Sequence, residues 1–254
     1  MDKYKGKLTV LMPAHNEGAG IYDNIGETLK VLEEGSRDYE IIVIDDGSAD
    51  NTYEEAARFA DGNPCVKLVR NHTNLGKGGA LCEGFGASTG DRVVFIDADL
   101  DLHPSQLQVF FDYMRKESAS VVIGSKRHPQ SKLNYPLHRK IVSAVYFFLV
   151  KLMFRLPIHD TQTGLKLFER EVLEKVFSKM LVKKFAFDLE LLVLAHKYGY
   201  KIAEAPVVVD FRPNIDRKMK RLIGLRDIFT MWWDTMAIFY RLYILRYYDR
   251  TEPK

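Results

Sequence analysis

Cysteine is nearly absent: Cys65 and Cys82 are the only two in 254 residues, so no disulfide framework is available and an apolar core must hold the chain together. Long uncharged stretches are missing too. The longest, Ile141 to Val150, ends after ten residues at Lys151, well short of the roughly 18 apolar residues that cross a bilayer. No apolar leader follows the opening Met-Asp-Lys-Tyr-Lys, which with the scarce cysteine points to the reducing cytosol. Nor does charge of one sign dominate. Lys and Arg number 37 against 34 Asp and Glu, and the resulting +3 gives no reason to expect nucleic acid as a partner.

What is present is an ordinary folded composition, 46% apolar and 28% charged, without repeats or low-complexity tracts. The length allows one large domain with a modest appendage. The boundary is placed near Asp210 to Pro213, giving a main domain at 1–210 and, at 211–254, a basic loop and an amphipathic region. From Arg212 to Arg226 there are six basic residues and one acid, a local patch suited to an anionic partner.

Short β-branched runs at Lys7 to Met12, Glu40 to Ile44, Val66 to Val69, Arg92 to Ile96 and Ala119 to Ile123 read as buried strands. Helical patterns fill the gaps at Gly20 to Glu33, Asn51 to Ala60, Gly76 to Ala87 and Ser105 to Glu117. This alternation predicts an α/β fold with a mostly parallel central sheet covered on both faces, whose ligands bind beyond the carboxyl ends of the strands. After Gly124 the pattern changes. Arg139 to Leu156 is amphipathic, Asp160 to Glu169 a turn and strand, Phe187 to Tyr198 a helix and Lys201 to Val209 a last strand. From Asp227 to Tyr248 sixteen of 22 residues are apolar, including both tryptophans, with a narrow polar stripe at helical spacing.

Three predicted strand ends carry acids: Pro13-Ala14-His15-Asn16-Glu17, Asp45-Asp46-Gly47-Ser48 and Asp97-Ala98-Asp99-Leu100-Asp101. Carboxylates crowded there repel one another unless a cation or hydroxyl-rich ligand neutralises them. Asp97 to Asp101 places alternate carboxylates on the same side of an extended strand end, a spacing suited to a hard divalent ion on diphosphate oxygens; the same residues also fit a turn capping a helix at His103-Pro104. Asp45 to Ser48 fits a turn and helix cap, and equally an acceptor for ribose hydroxyls. Asn74-Leu75-Gly76-Lys77-Gly78-Gly79-Ala80 lacks the spacing of a nucleotide phosphate loop; its glycines suit tight packing of a helix start, with N-terminal amides available to an anion. His15, His72, His103 and His159 share no metal-ligand spacing, and Ser48, Ser88 and Cys82 lack a nucleophile's local context.

In combination, Pro13 to Glu17, Asp45 to Ser48, Asn74 to Gly79, Asp97 to Asp101 and Asp160-Thr161-Gln162-Thr163-Gly164-Leu165-Lys166 resemble glycosyltransferase family 2, in particular its dolichyl- and polyprenyl-phosphate mannosyl- and glucosyltransferases. The resemblance spans about residues 7 to 220. It implies a GT-A nucleotide-sugar transferase domain that inverts the anomeric centre with Mg²⁺ or Mn²⁺. Pro13, His15, Glu17 and Asp46 would border base and ribose, Asp97 and Ala98 would line the nucleotide, and Asp99 and Asp101 would hold the ion. Lys126, where relatives have arginine, and Arg127 would face the sugar diphosphate. Arg139 and Ser143 would grip the acceptor phosphate, Arg212 and Lys218 would belong to a loop over the donor, and Asp160 would orient the acceptor or serve as base.

The implied partners are a nucleotide-sugar donor, UDP-glucose or GDP-mannose, and a polyprenyl or dolichyl phosphate. Residues 139 to 156 and 227 to 248 would lie in the membrane interface on its cytoplasmic face, or pair with a second copy. Within enzymes, the alternatives are transfer to a saccharide hydroxyl and nucleotidyl transfer; a nucleotide-sugar binder without turnover is a further class.

Overall fold

The computed structural model describes residues 6–35, 38–133, 137–184, 186–209 and 225–249, with backbone alone at 133, 137–145 and 225–228. Strands β1 (Leu8–Ala14), β2 (Tyr39–Asp46) and β3 (Val66–Asn71) alternate with helices α1 (Ile21–Gly35) and α2 (Thr52–Asp61). There follow α3 (Lys77–Gly86), β4 (Arg92–Phe95), α4 (Leu107–Glu117) and β5 (Val121–Ser125). The remainder comprises β6 (Lys132–Leu133), α5 (Leu137–Phe154), β7 (Lys166–Glu169), α6 (Arg170–Phe177), α7 (Phe187–Lys197), β8 (Ile202–Pro206), β9 (Val208–Val209) and α8 (Leu225–Phe239).

Seven strands form one sheet in the order β3-β2-β1-β4-β7-β5-β8, while β6 and β9 pair separately. All main-sheet pairings are parallel except those of β7, inserted antiparallel between β4 and β5. Chain order runs outward from β1 through β2 to β3, then returns across β1 to β4, so the direction of winding reverses between β1 and β4. Helices leaving opposite faces there open a crevice at the carboxyl ends. β1 and β2 are buried on both faces, as a covered parallel sheet requires. One core cluster, with Leu11, Ile42, Phe95 and Leu192, lies on one face; the other, with Val10, Ile25, Val43 and Phe110, lies opposite.

The sequence pattern missed α6, whose eight residues follow β7 without a turn. It also merged β8 and β9, which belong to different sheets. α5 and α8 meet through Tyr146 Oη and Thr235 Oγ1 at 3.3 Å and through the edge-on rings of Phe154 and Phe239. After α8 a π-helical turn, Tyr240–Ile244, and a 3₁₀ turn, Tyr247–Asp249, bring Tyr248 back into the core beside α7. Among the described residues no helix is long and apolar enough to cross a membrane.

Candidate functional site

A cavity of about 320 Å³ opens where β1, β2 and β4 end, lined by Pro13, Ala14, His15, Glu17, Asp46, Asn74, Gly76, Lys77, Ala80, Asp97, Ala98 and Asp99. Seven positions assigned to nucleotide or ion therefore share one wall system. Parallel pairing explains the convergence: Ala14 is level with Asp45 and Leu11 with Phe95, so the three chains leave the sheet together.

Each wall is tied down by main-chain hydrogen bonds. Asn16 sits at φ 56°, a conformation asparagine tolerates, accepting Ala49 N–H on Oδ1 at 2.9 Å while its own N–H meets Ser48 Oγ at 3.0 Å. His15 Nδ1 lies 2.9 Å from the Asp46 carbonyl, which only accepts, so Nδ1 carries the proton and Nε2 accepts from Asn16 Nδ2 at 3.1 Å. Asp50, rather than Ser48 or Asn51, caps α2: its Oδ1 accepts Thr52 N–H at 3.0 Å and its Oδ2 accepts Gly18 N–H at 3.1 Å.

The crowded acids are largely neutralised from within. Asp46, almost fully buried, accepts Asn71 Nδ2 at 2.8 Å, Leu75 N–H at 2.9 Å and Gly76 N–H at 2.9 Å. Asp45 accepts Ser48 N–H at 3.1 Å, and Arg70 lies 3.5 Å from its other oxygen. Lys77 Nζ meets Asp97 Oδ1 at 2.5 Å. Burial alone would lower the Lys77 ammonium, but Asp97, then Asp188 and Asp99, outweigh it and hold its pKa above the usual lysine value. Lys77 was not singled out as a site residue; its place at the start of the glycine-rich helix was the available signal.

Two expectations are corrected. The segment from Asp97 to Asp101 is a turn: β4 ends at Phe95, Leu100 N–H donates to the Asp97 carbonyl at 3.1 Å, and Leu100 has φ 49°. Its carboxylates therefore do not alternate along an extended strand. Asp99 is buried and accepts Asp101 N–H at 3.2 Å, Asp101 is outside the cavity lining, and His103 caps the following helical turn. Secondly, the amides at the start of α3 are occupied by protein. Gly76 N–H goes to Asp46, while Gly78 and Gly79 N–H meet the Lys183 carbonyl at 2.9 and 3.3 Å. Tight packing of that helix does hold: a Cβ on Gly78 would lie 2.7 Å from Phe187, and one on Gly84 2.7 Å from Ile44.

A second, smaller cavity is lined by Lys126, Arg127, Tyr146, Phe147, Lys151, Ile158, His159, Asp160 and Gln162, among others. Arg127 lies over the Phe147 ring at 4.5 Å, Lys151 at 5.5 Å, and His159 stacks on the same ring. Asp160 Oδ2 accepts Lys126 N–H at 3.0 Å and Thr163 Oγ1 at 2.7 Å, and Oδ1 accepts Gln162 N–H at 2.9 Å. The 160–164 turn joins the two cavities, since a Cβ on Gly164 would stand 2.1 Å from Asp97 Oδ2. Behind it Lys166, fully buried, pairs with Asp188 at 2.6 Å and donates to the Thr163 carbonyl. Complete burial pulls the Lys166 ammonium below its usual value against the opposing pull of Asp188.

Arg139 and Ser143 both lie on α5, but their side chains, with Arg212 and Lys218 entire, lie outside the described residues. Cys65 and Cys82 are unpaired, and burial pushes the Cys82 thiol up to about 11, which keeps it protonated.

Among the described residues no three His, Cys, Asp or Glu side chains form a metal-binding group. A preformed protein cage is not what the donor set offers. Carboxylates at Asp97 and Asp99 beside a roomy cleft fit an ion that arrives with phosphate oxygens and keeps waters, the ordinary habit of Mg²⁺.

A mostly parallel sheet with an acid-lined crevice at its winding reversal defines a GT-A-like nucleotide-sugar transferase domain. The chain belongs to the glycosyl transferase family 2, whose model matches residues 9–177. It is 31% identical over 233 residues to the glycosyltransferase AglD of Haloferax volcanii, covering 89% of this chain and 37% of that protein. It is 32% identical to the dolichyl-phosphate beta-glucosyltransferase ALG5C of Trichomonas vaginalis, covering 87% and 70%, and 32% identical to the human dolichyl-phosphate beta-glucosyltransferase, covering 79% and 66%. The chain thus spans little more than a third of the archaeal relative and about two thirds of the human one. In fold it is similar to the Mycobacterium tuberculosis glucosyl-3-phosphoglycerate synthase solved with Mn²⁺, UDP and glucosyl-3-phosphoglycerate, with TM-score 0.70 and 22% identity over 93% of this chain and 79% of that one. A Pyrobaculum calidifontis mannosyltransferase solved with GDP-Man and Mn²⁺ gives TM-score 0.59 at 23% identity, covering 86% and 61%.

Proposed function

We propose that this enzyme transfers glucose, with inversion, from UDP-glucose to a dolichyl or polyprenyl phosphate. One observation carries the reading: the 160–164 turn lines a cation-rich cavity with Asp160 and Gln162 and packs Gly164 against Asp97, which lines the separate acid-lined cleft. A donor and an anionic acceptor are thereby held a few residues apart. The preference for glucose over mannose follows the dolichyl-phosphate beta-glucosyltransferase relatives.

In this reading Pro13, His15, Glu17 and Asp46 border base and ribose, and Ala98 and Gly76 bring backbone close to the nucleotide. Asp99, with Asp97 on the same wall, would hold Mg²⁺ or Mn²⁺; Asp101, expected to share that task, is two residues on in the turn and outside the lining. Such an ion, when bound, supplies positive charge to the departing diphosphate. Lys77, kept protonated by its acidic neighbours, adds a fixed cation at the same cleft. Lys126 and Arg127, expected to face the sugar diphosphate, line the second cavity and not the donor cleft, so with Lys151 they attract the acceptor phosphate there. Arg139 and Ser143 would complete that grip, and Arg212 and Lys218 would cover the donor.

A phosphate monoester with its second pKa near about 6 is mostly dianionic at neutral pH and attacks without a strong base. Asp160, already accepting three hydrogen bonds, orients the loop that carries Lys126. A saccharide hydroxyl acceptor would need a base and would give Asp160 that task.

The C-terminal region lies in the membrane interface at the cytoplasmic face. Phe148 and Leu152 of α5 and Phe229, Trp232 and Trp233 of α8 are all exposed, as interfacial helices require. Flotation with anionic vesicles tests this; sedimentation equilibrium tests pairing with a second copy. A donor panel of UDP-glucose and GDP-mannose with radiolabelled sugar, against polyprenyl phosphate and free saccharides, tests the reaction itself. Transfer to lipid phosphate from UDP-glucose is the expected result, and transfer only to saccharide hydroxyls would overturn it.

A further inference from the structure

Glu190 on α7 is wholly buried, yet it touches neither cavity. Its Oε2 accepts the N–H of Leu181 at 3.0 Å and of Val182 at 2.7 Å. Its Oε1 accepts the Tyr248 hydroxyl, and Arg241 lies 3.7 Å away. One carboxylate therefore joins the C-terminal turns to the loop at 181–184.

That loop sits against the donor cleft. The residue after Val182, Lys183, gives its carbonyl to Gly78 and Gly79 N–H at the start of α3. A Cβ on Gly76 would lie 2.7 Å from that carbonyl and one on Gly78 2.7 Å from the Phe187 side chain, so the start of α3 packs on the loop backbone and on that ring without slack. Between those glycines stands Lys77, with Nζ on Asp97. A shift of the loop is transmitted to Lys77 because close-packed contacts have no room to absorb it.

We propose that Glu190 is a positioning residue through which the seating of residues 240–249 sets how firmly the donor cleft holds a nucleoside diphosphate. The consequence for binding rests on reading that cleft as the donor site; the mechanical coupling does not. Loss of the Tyr248 hydroxyl leaves Glu190 Oε1 facing Arg241 alone at 3.7 Å, and the carboxylate must shift to bring that guanidinium within hydrogen-bond reach. The exposed Lys197–Asp249 pair at 2.5 Å also fastens the C-terminal segment but bypasses Glu190, which makes it the proper control.

The test compares the wild type with Tyr248→Phe, Glu190→Gln and Lys197→Ala in the full chain. In Tyr248→Phe, amide hydrogen exchange at Gly78 and Gly79 accelerates at least about fivefold, the UDP–Mn²⁺ Kd and the donor KM rise about three- to tenfold, and kcat at saturating donor stays within about twofold. Glu190→Gln keeps an acceptor for Leu181 and Val182 and stays within about twofold of wild type, whereas Glu190→Ala, where it folds, exceeds Tyr248→Phe. Lys197→Ala leaves exchange and affinity unchanged. Wild-type exchange at Gly78 and Gly79 in folded Tyr248→Phe, or an equal acceleration in Lys197→Ala, overturns the coupling. If the wild type itself binds no UDP–Mn²⁺, the donor reading fails, while the exchange rates still decide the coupling.

Discussion

The cleft we propose for the donor and the cavity we propose for the acceptor are built by opposite means. The first is assembled from the ends of three buried strands, with Asp46 matched by Asn71 and main-chain amides and Asp97 by Lys77 before any ligand arrives. The second collects side chains from the turn after β5, from α5 and from the 158–162 segment, with Lys126, Arg127 and Lys151 gathered around one phenylalanine. A preorganised cleft suits a donor bound the same way each turnover. A set of cations around an aromatic wall suits a phosphate whose lipid tail stays outside.

Substitutions sharpen that contrast. Asp99→Ala is expected to cost the most, about 10²–10³-fold in kcat by radiolabelled transfer, with loss of Mn²⁺-dependent donor binding. Lys77→Ala follows at about 10²-fold, since it removes the fixed cation and leaves Asp97 unmatched. Gly164→Ala drives a Cβ into Asp97 and raises the donor KM about tenfold or more, readable from donor saturation curves. Asp160→Asn stays within about tenfold when the acceptor is a lipid phosphate; a loss of about 10⁴-fold contradicts the orienting role and indicates a base.

A control at the far end of the sheet separates stability from activity. Burial would raise the Glu40 carboxyl, but Lys67, Thr89, Thr9 and Lys7 together hold it at about 2. A folded pKa below the unfolded value near 4.5 contributes stability that is complete above that value and is lost as pH falls towards 2. The shift is worth on the order of 3 kcal/mol. Glu40→Gln should flatten urea-unfolding stability between about pH 5 and pH 2 and leave neutral-pH donor KM untouched.

Much of the donor half was legible because β-branched runs and helical spacing repeat regularly up to Gly124, and acids at strand ends mark the ligand edge. The turn at Asp97 to Asp101 was not, since Leu100 at φ 49° breaks the alternation without a glycine or proline to announce it. Lys77 was hidden for another reason: its partners Asp97, Asp99 and Asp188 lie at least 20 residues away in sequence. The occupied amides of α3 depend on the Lys183 carbonyl, a main-chain contact over a hundred residues distant that no side-chain pattern encodes. After Gly124, β8 and β9 are short strands whose separation comes from pairing with β5 and β6 rather than from local propensity, and α6 is an eight-residue helix with no turn to mark its start.

Crystals grown with UDP and Mn²⁺ interrogate the donor assignment most directly, through the anomalous signal of manganese. We expect the peak about 2.2 Å from an Asp99 carboxylate oxygen, with the diphosphate between it and Lys77. A nucleotide and ion bound together elsewhere on the molecule, with this cleft empty, would contradict the account.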